Sequence, residues 1–479
     1  MPDYANLEFL FHPNSIALAG ITVTNPEHWT RTFLDSLLEF RFERPLYLVN
    51  PKGGEIKGLK VYQSLADVPN TIDYVISLVP ARVAPGLVEE CAGKGVKAIH
   101  FCTAGFSETG EEEGIKLEAK VAELGRKKGI RIVGPNCMGV YCPESRISFQ
   151  SNFPKERGTV GFISQSGGNA VDIVNQVMWR GIRFSKVISY GNACDLNESD
   201  FLEYFTADPN TKAIAMYIEG TKDGRRFRQT LQKAASKKPV ILLKGGVTES
   251  GARAVAGHTG ALAGSEAVWD SLCRQLGVIR VDSLEEMGDI LVTLLFLPMP
   301  KGRRMALIGG GGGASVLITD EFEKKGLKVP SLPQEIRERI REFTPAAGNI
   351  LRNPIDYSQT MIEPGKLART VGIISNWDGI DFLMGFMRPT LAAASIRGRM
   401  AEMIDEMLEG SRQGSKQIGL VIEPSTLAQE AKEIFPIIQK CVSLGLPVYY
   451  SFAGAASAIS LVLSHYERHP SAPRIYRVH

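Results

Sequence analysis

At 479 residues the chain is too long for one hydrophobic core and suits about two to four domains. It is 44% hydrophobic and 22% charged with a net charge of +3, the balance of an ordinary globular protein. No Lys/Arg cluster interleaved with aromatics points to nucleic acid, and the apolar runs fall short of the ~18 residues that a membrane span needs.

The N-terminus MPDYANLEFL lacks the basic start of a signal peptide. Seven scattered cysteines with no C-x-x-C pair suggest reduced thiols in a cytoplasm. From there, short apolar runs alternate with helical stretches. IALAG (16–20), LYLVN (46–50), YVISLVP (74–80), AIHFCT (98–103) and RIVGP (131–135) read as strands. Segments such as 110–129, with Ile115, Leu117, Val121 and Leu124 near helical spacing, read as helices between them. That alternation predicts a parallel sheet covered on both faces.

The polar stretch SNFPKERG (151–158) reads as a linker. A second cycle follows through TVGFIS, KVISYG, AIAMYIEG, PVILLKG and VIRV, and ends near FLPMPKGRR (296–304), where prolines and basic residues break the pattern. The third block runs through RMALIGGGGG, DFLMGFM, IGLVIEP and LPVYYS. Blocks two and three open alike, with a strand, a glycine loop and a helix, which suggests a repeated flavodoxin-like unit. The expectation is therefore three α/β domains, at 1–150, 151–298 and 299–479.

Ligands of open parallel sheets gather at the carboxyl ends of the strands, so the loops there carry the search for function. In FISQSGG the backbone N–H groups of Ser166, Gly167 and Gly168 would leave a helix start, where the dipole favours an anion. A plain tight turn explains the same residues equally well. The loop after the first strand carries only Gly20 and no G-x-G-x-x-G, and no P-loop occurs anywhere in the chain. The pentaglycine at 309–313 is either a second cradle or a packing device, and Lys52 in NPK stands just past a strand end.

GHTGALAGS (257–265) places His258 among three glycines. A lone histidine is usually a bystander in such a turn. Here, however, it lies in a small-residue excursion longer than ordinary strand–helix connections. Glu219 ends a strand in the same block. A carboxylate on one ring N–H fixes the tautomer and sharpens the other nitrogen as a nucleophile, so the set suggests a phosphohistidine. A zinc site lacks ligands, since no second His or Cys stands at ligand spacing, and no metal residue is assigned.

The ordered set of GARAVAGHTGALAGSEAVWD, MYIEG, FISQSGG, ISYGNACDLNESDFLEYFTADPNTKAIA, NPKGGEIKGLKVY, TAGFSETGEEE, GPNCMG and NPIDY resembles the α subunit of the NDP-forming acyl-CoA synthetases, ADP-forming acetate–CoA ligases of the succinyl-CoA synthetase superfamily. The resemblance spans nearly the whole chain. It implies a CoA-binding Rossmann-like domain followed by two flavodoxin-like domains. His258 would be the phosphohistidine, Glu219 its orienting carboxylate, and Ser166, Gly167 and Gly168 the phosphate loop. CoA, a substrate, would be held by Gly20, Thr22, Lys52, Val79, Pro80, Thr103 and Asn136. The implied reaction converts acyl-CoA, phosphate and ADP into a small carboxylic acid, CoA and ATP through an acyl phosphate. The resemblance also implies a separate ATP-grasp β subunit that carries Mg²⁺ with ADP or ATP, in an α2β2 heterotetramer.

One loop departs from the pattern. The family reads Gly-Ala-Ser, then Pro-Gly-Lys and a further Gly, where this chain has GITVTNPEHW. Gly20 stands and Thr22 replaces the serine hydroxyl, but the later glycines are absent. That change is the support for an alternative, a non-catalytic CoA-binding regulatory or scaffold relative. The retained His258, Glu219 and SQSGG argue against it, and the missing dinucleotide fingerprint argues against a nicotinamide oxidoreductase.

Overall fold

The apolar runs form parallel strands buried on both faces, which is why they read as continuous rather than alternating hydrophobic segments. The computed structural model describes residues 7–259, 265–310, 312–345, 349–357, 363–388, 394–425 and 427–475. Among them, three sheets follow one another along the chain. The architecture is the expected one, three α/β layers in succession, the second and third flavodoxin-like in strand order.

The first sheet contains β1 (Ile16–Ala19), β2 (Leu46–Val49), β3 (Gly54–Ile56), β4 (Leu59–Tyr62), β5 (Tyr74–Ser77), β6 (Ala98–Phe101) and β7 (Arg131–Val133). Their order is β3-β4-β2-β1-β5-β6-β7, parallel except for the β3–β4 hairpin. From β1 the chain moves to β2 on one side and later to β5 on the other, so the carboxyl end of β1 is a topological switch point.

The second sheet contains β8 (Gly139–Tyr141), β9 (Val160–Ser164), β10 (Phe184–Ser189), β11 (Ala213–Ile218), β12 (Val240–Lys244) and β13 (Ile279–Val281). The third contains β14 (Met305–Gly309), β15 (Ile350–Leu351), β16 (Ile355–Asp356), β17 (Phe382–Met387), β18 (Ile418–Ile422) and β19 (Val448–Tyr449). Their orders are β13-β12-β11-β9-β10-β8 and β15-β16-β14-β17-β18-β19. Both are the flavodoxin-like 2-1-3-4-5 arrangement with one antiparallel strand, β8 or β15, added at the same edge.

The chain divides into two compact units. One comprises Met1–Met178 and Arg183–Leu284 and holds the first two sheets; the other comprises Trp179–Ile182 and Glu285–His479 and holds the third. The sequence had put domain ends at 150 and 298. Strand β8 lies before residue 150 yet pairs with β10, because strand pairing recruits whichever segment reaches the open edge. The division near the other boundary falls at Leu284, ahead of the helix Leu284–Phe296. The polar stretch read as a linker is docked: Phe153 is buried against Tyr141, whose hydroxyl donates to Pro154 O at 2.5 Å. Among the described residues no helix is long and apolar enough to cross a membrane.

One buried charge pair sits inside the second sheet's core. Lys186, in the middle of β10 and 1% exposed, places its ammonium 2.8 Å from Asp208 Oδ2. The Thr211 hydroxyl donates to the same oxygen at 2.7 Å. Burial pushes the Asp208 carboxyl up, but the hydrogen bonds from Lys186 and Thr211 outweigh it and hold the group below its ordinary range. A depressed carboxyl contributes stability above its unfolded pKa, and the contribution is lost as pH falls through the native value. Asp208→Ala strands the ammonium, so the first unit should lose about 3–5 kcal/mol at neutral pH, read from its urea midpoint. The gap to wild type should close on acidification below about pH 4. A variant as stable as wild type at pH 7 would show that the pair is not needed.

Candidate functional site

The seven residues expected around CoA all lie just beyond strand ends on one edge of the first sheet. Gly20 and Thr22 follow β1, Lys52 follows β2, Val79 and Pro80 follow β5, Thr103 follows β6, and Asn136 follows β7. Gly20 has φ +91°, and a Cβ there would stand 2.8 Å from Val79 N, so only glycine lets the two strand ends approach this closely. Thr103 Oγ1 donates to Val79 O at 2.8 Å, and Asn136 N donates to Thr103 O at 3.2 Å. Asn136 sits at φ +58°, a conformation asparagine tolerates better than most side chains. Lys52 is exposed, and its loop is tied to the β1 end through Asn50, whose Nδ2 donates to Ile21 O at 2.8 Å. Thr22 N donates to Thr30 Oγ1 at 3.3 Å, which folds the 20–30 loop back on itself.

On the second sheet, β9 ends at Ser164 and the helix Gly167–Val177 begins with Ser166 as its cap. Ser166 Oγ accepts from Asn169 N at 3.3 Å, while Ser164 Oγ donates to Ser166 O at 2.6 Å. These bonds shape the turn and aim the first helical amides outward. Gly167 lies against Met138, where a Cβ would come within 2.8 Å of Cγ, whereas Gly168 opens to solvent. A helix start of this kind can hold an anion on its N–H groups.

Glu219 follows β11, beside β9 at the switch point of this sheet, and is 2% exposed. Its Oε1 accepts from Tyr217 Oη at 3.1 Å. Two neighbours that sequence reasoning missed hold it in place. Gln165 Oε1 accepts from both Glu219 N at 2.8 Å and Gly220 N at 3.1 Å. Lys244, at the end of β12, donates to Glu219 O at 2.8 Å and to Gly245 O. Burial pushes this ammonium down to about 8, with Glu219 pulling the other way.

Sequence reasoning also passed over Glu198, a 2%-exposed acid that opens the helix Glu198–Ala207 after β10. Burial raises its carboxyl to about 7, against its own backbone N–H. The only local signal was the capping box from Asn197 to Asp200.

The small-residue excursion expected to carry His258 as a loop is helical over Glu249–Thr259, because alanine-rich sequence outweighs its glycines. This helix lies beside the turn Ser107–Thr109. The His258 side chain and residues 260–264 lie outside the described residues.

Residues 14–143 match the family described as the CoA binding domain, and residues 157–294 match the succinyl-CoA ligase like flavodoxin domain. Fold and site together therefore define an acid–CoA ligase subunit on the succinyl-CoA ligase plan. The chain is 35% identical over 446 residues to the α subunit of acetate–CoA ligase (ADP-forming) II of Pyrococcus furiosus, covering 92% of this chain and 94% of that one. It is 38% identical over 356 residues to the corresponding ligase I α subunit of the same organism, covering 73% and 76%. The solved structure of dinucleotide forming acetyl-coenzyme A synthetase 1 of Ca. Korarchaeum cryptofilum, in complex with phosphate and ADP, superposes with a TM-score of 0.80 at 29% identity, covering 98% of both chains. The chain belongs to the α-subunit family of the ADP-forming acyl-CoA synthetases. It is thus a subunit of an NDP-forming acid–CoA ligase, the class that interconverts acyl-CoA, phosphate and ADP with a carboxylic acid, CoA and ATP.

Gln165→Ala removes the acceptor of two buried N–H groups and should lower stability by about 2 kcal/mol in urea unfolding. Activity should fall further than stability predicts, because Glu219 loses its anchor. Unchanged turnover by a folded Gln165→Ala protein would mean that Glu219 is held without it.

Proposed function

We propose that this chain runs the ligase reaction through a phosphorylated His258. Phosphate attacks the acyl thioester, the carbon–sulfur bond breaks, and CoA leaves as the thiol with an acyl phosphate in its place. A ring nitrogen of His258 then attacks phosphorus, the carboxylate leaves, and a phosphohistidine remains. The terminal oxygen of ADP attacks this phosphorus, the nitrogen–phosphorus bond breaks, and ATP forms.

The observation that carries this reading is the meeting of a buried carboxylate, Glu219, with the anion-ready helix start at Ser166–Gly168, on adjacent strand ends locked by Gln165. Glu219 orients the imidazole and stabilises its positive charge. Ser166, Gly167 and Gly168 hold the phosphoryl oxygens. The first-sheet edge, with Gly20, Thr22, Lys52, Val79, Pro80, Thr103 and Asn136, holds CoA. Mg²⁺ and the nucleotide sit on a separate ATP-grasp β subunit in an α2β2 assembly. We place the enzyme in the cytoplasm, consistent with seven free cysteines.

With ATP, Mg²⁺ and a β subunit, the chain should take up an acid-labile, base-stable phosphate, and His258→Ala should abolish it. Label that survives His258→Ala would overturn the route. Glu219→Gln should still be labelled, but slower by a factor equivalent to ~3 kcal/mol, the usual cost of removing one preorganised electrostatic partner. Rapid-quench labelling reads this directly, and an unchanged rate would remove Glu219 from the site. The chain alone should bind CoA and make no ATP from acyl-CoA; ATP synthesis without a β subunit would show a nucleotide site within the chain.

A further inference from the structure

The 20–30 loop lacks the later glycines of the family pattern, yet it leads into a helix at the first-sheet switch point. That helix, Arg31–Glu39, begins with a cation. Arg31 is 7% exposed, its Nε is buried with no hydrogen-bond partner, and its Nη2 donates to Val23 O at 3.2 Å, inside the loop. Among the described residues it pairs with no carboxylate, and the first turn of its helix contains no acid.

Two penalties coincide at this guanidinium. A buried charge without a counter-charge is costly. A cation at a helix N-terminus also faces the positive end of the dipole. An anion at the loop would relieve both.

Two of the amides at the helix start are already engaged. Arg31 N already donates to His28 O at 2.8 Å, and Thr32 N to Trp29 O at 3.1 Å. The Thr30 hydroxyl, at the cap position, is engaged by Thr22 N and by His28 Nδ1 at 3.0 Å instead of capping the helix. Among the described residues, the buried side-chain donor at this helix start that has no partner is Arg31 Nε, one side of a planar guanidinium fork whose geometry suits two phosphate oxygens.

We propose that Arg31 is the diphosphate ligand of this chain, taking over from the missing glycines in gripping CoA. The proposal rests on the first domain's being the CoA site. It makes Arg31 a specificity residue for the diphosphate, additional to the strand-end residues proposed to hold CoA. It also accounts for the altered loop without loss of CoA binding.

The test titrates the full-length chain with CoA, dephospho-CoA and pantetheine, as wild type, Arg31→Met and Arg31→Lys, alongside thermal melts of each. Losing a charge-assisted grip of ~1.5–3 kcal/mol corresponds to roughly ten- to hundredfold. Arg31→Met should weaken CoA and dephospho-CoA by that same factor and leave pantetheine unchanged. Arg31→Lys, which keeps the charge but not the fork, should fall between. Without ligand, Arg31→Met should melt at or above the wild-type temperature, since it removes an unpaired buried charge. CoA affinity unchanged in Arg31→Met, or a variant that is destabilised or unfolded, overturns the proposal and makes Arg31 a structural residue. A loss confined to CoA and absent with dephospho-CoA overturns the diphosphate assignment. Wild type that binds no CoA at all overturns the CoA reading of the domain itself.

Discussion

The side-chain oxygen of Gln165 accepts the backbone N–H groups of Glu219 and Gly220, and the edge of the second sheet that bears Glu219 depends on that pair of hydrogen bonds. Strands β9 and β11 are neighbours but arrive from segments more than fifty residues apart, each followed by a turn that could be set in many ways. The bridge sets both. It fixes the strand end that carries the carboxylate relative to the turn that presents the helix amides. Lys244 adds a third strand to the same lock by donating to Glu219 O. Because these groups are buried, an unmade bond would leave polar atoms without water, so the arrangement is held by penalty as much as by attraction.

A second polar network joins the two sheets of the first unit. Asn192 Nδ2, in the loop after β10, donates to Glu108 Oε2 at 2.6 Å and to Glu118 Oε2 at 2.8 Å. Ser107 Oγ donates to the same Glu118 oxygen at 2.6 Å. Glu108 Oε1 in turn accepts from Phe106 N at 3.1 Å and from Gly105 N, closing the turn that lies beside the helix of His258. The runs TAGFSETGEEE and GNACD are thus two halves of one structure. Hydrogen bonds join the segment after β6 in the first sheet to the loop after β10 in the second.

The flavodoxin-like repeat is real at the level of strand order, but its two copies carry different chemistry. The residue after the third-position strand is Glu219 in the second sheet and Arg388 in the third, where it pairs with Glu423 at 2.7 Å. The edge strand also has different origins. In the second sheet it precedes the first core strand in the chain, and in the third it follows it. At the opening of the pentaglycine, Gly309 lies so close to Phe386 that a Cβ would come within 2.5 Å of the ring, so this first glycine answers a packing demand.

Strand and helix identity was legible in the sequence because both are local. Apolar runs such as YVIS and AIHF state a doubly buried strand on their own. The glycines at Gly20 and Gly167 announced close approach, although not to what. Family-specific runs carried Glu219 and His258 into view. The tertiary structure alone decided which strand ends became neighbours, and with them the partners Gln165 and Lys244, the burial of Glu198 and the recruitment of β8 into the second sheet. It also decided that Arg31, an ordinary charge at the head of a helix in the sequence, stands buried without a counter-charge. The physical reason is common to all of these. Periodicity and turn chemistry act over a few residues, whereas desolvation and hydrogen-bond partnership depend on what the fold brings across from distant parts of the chain.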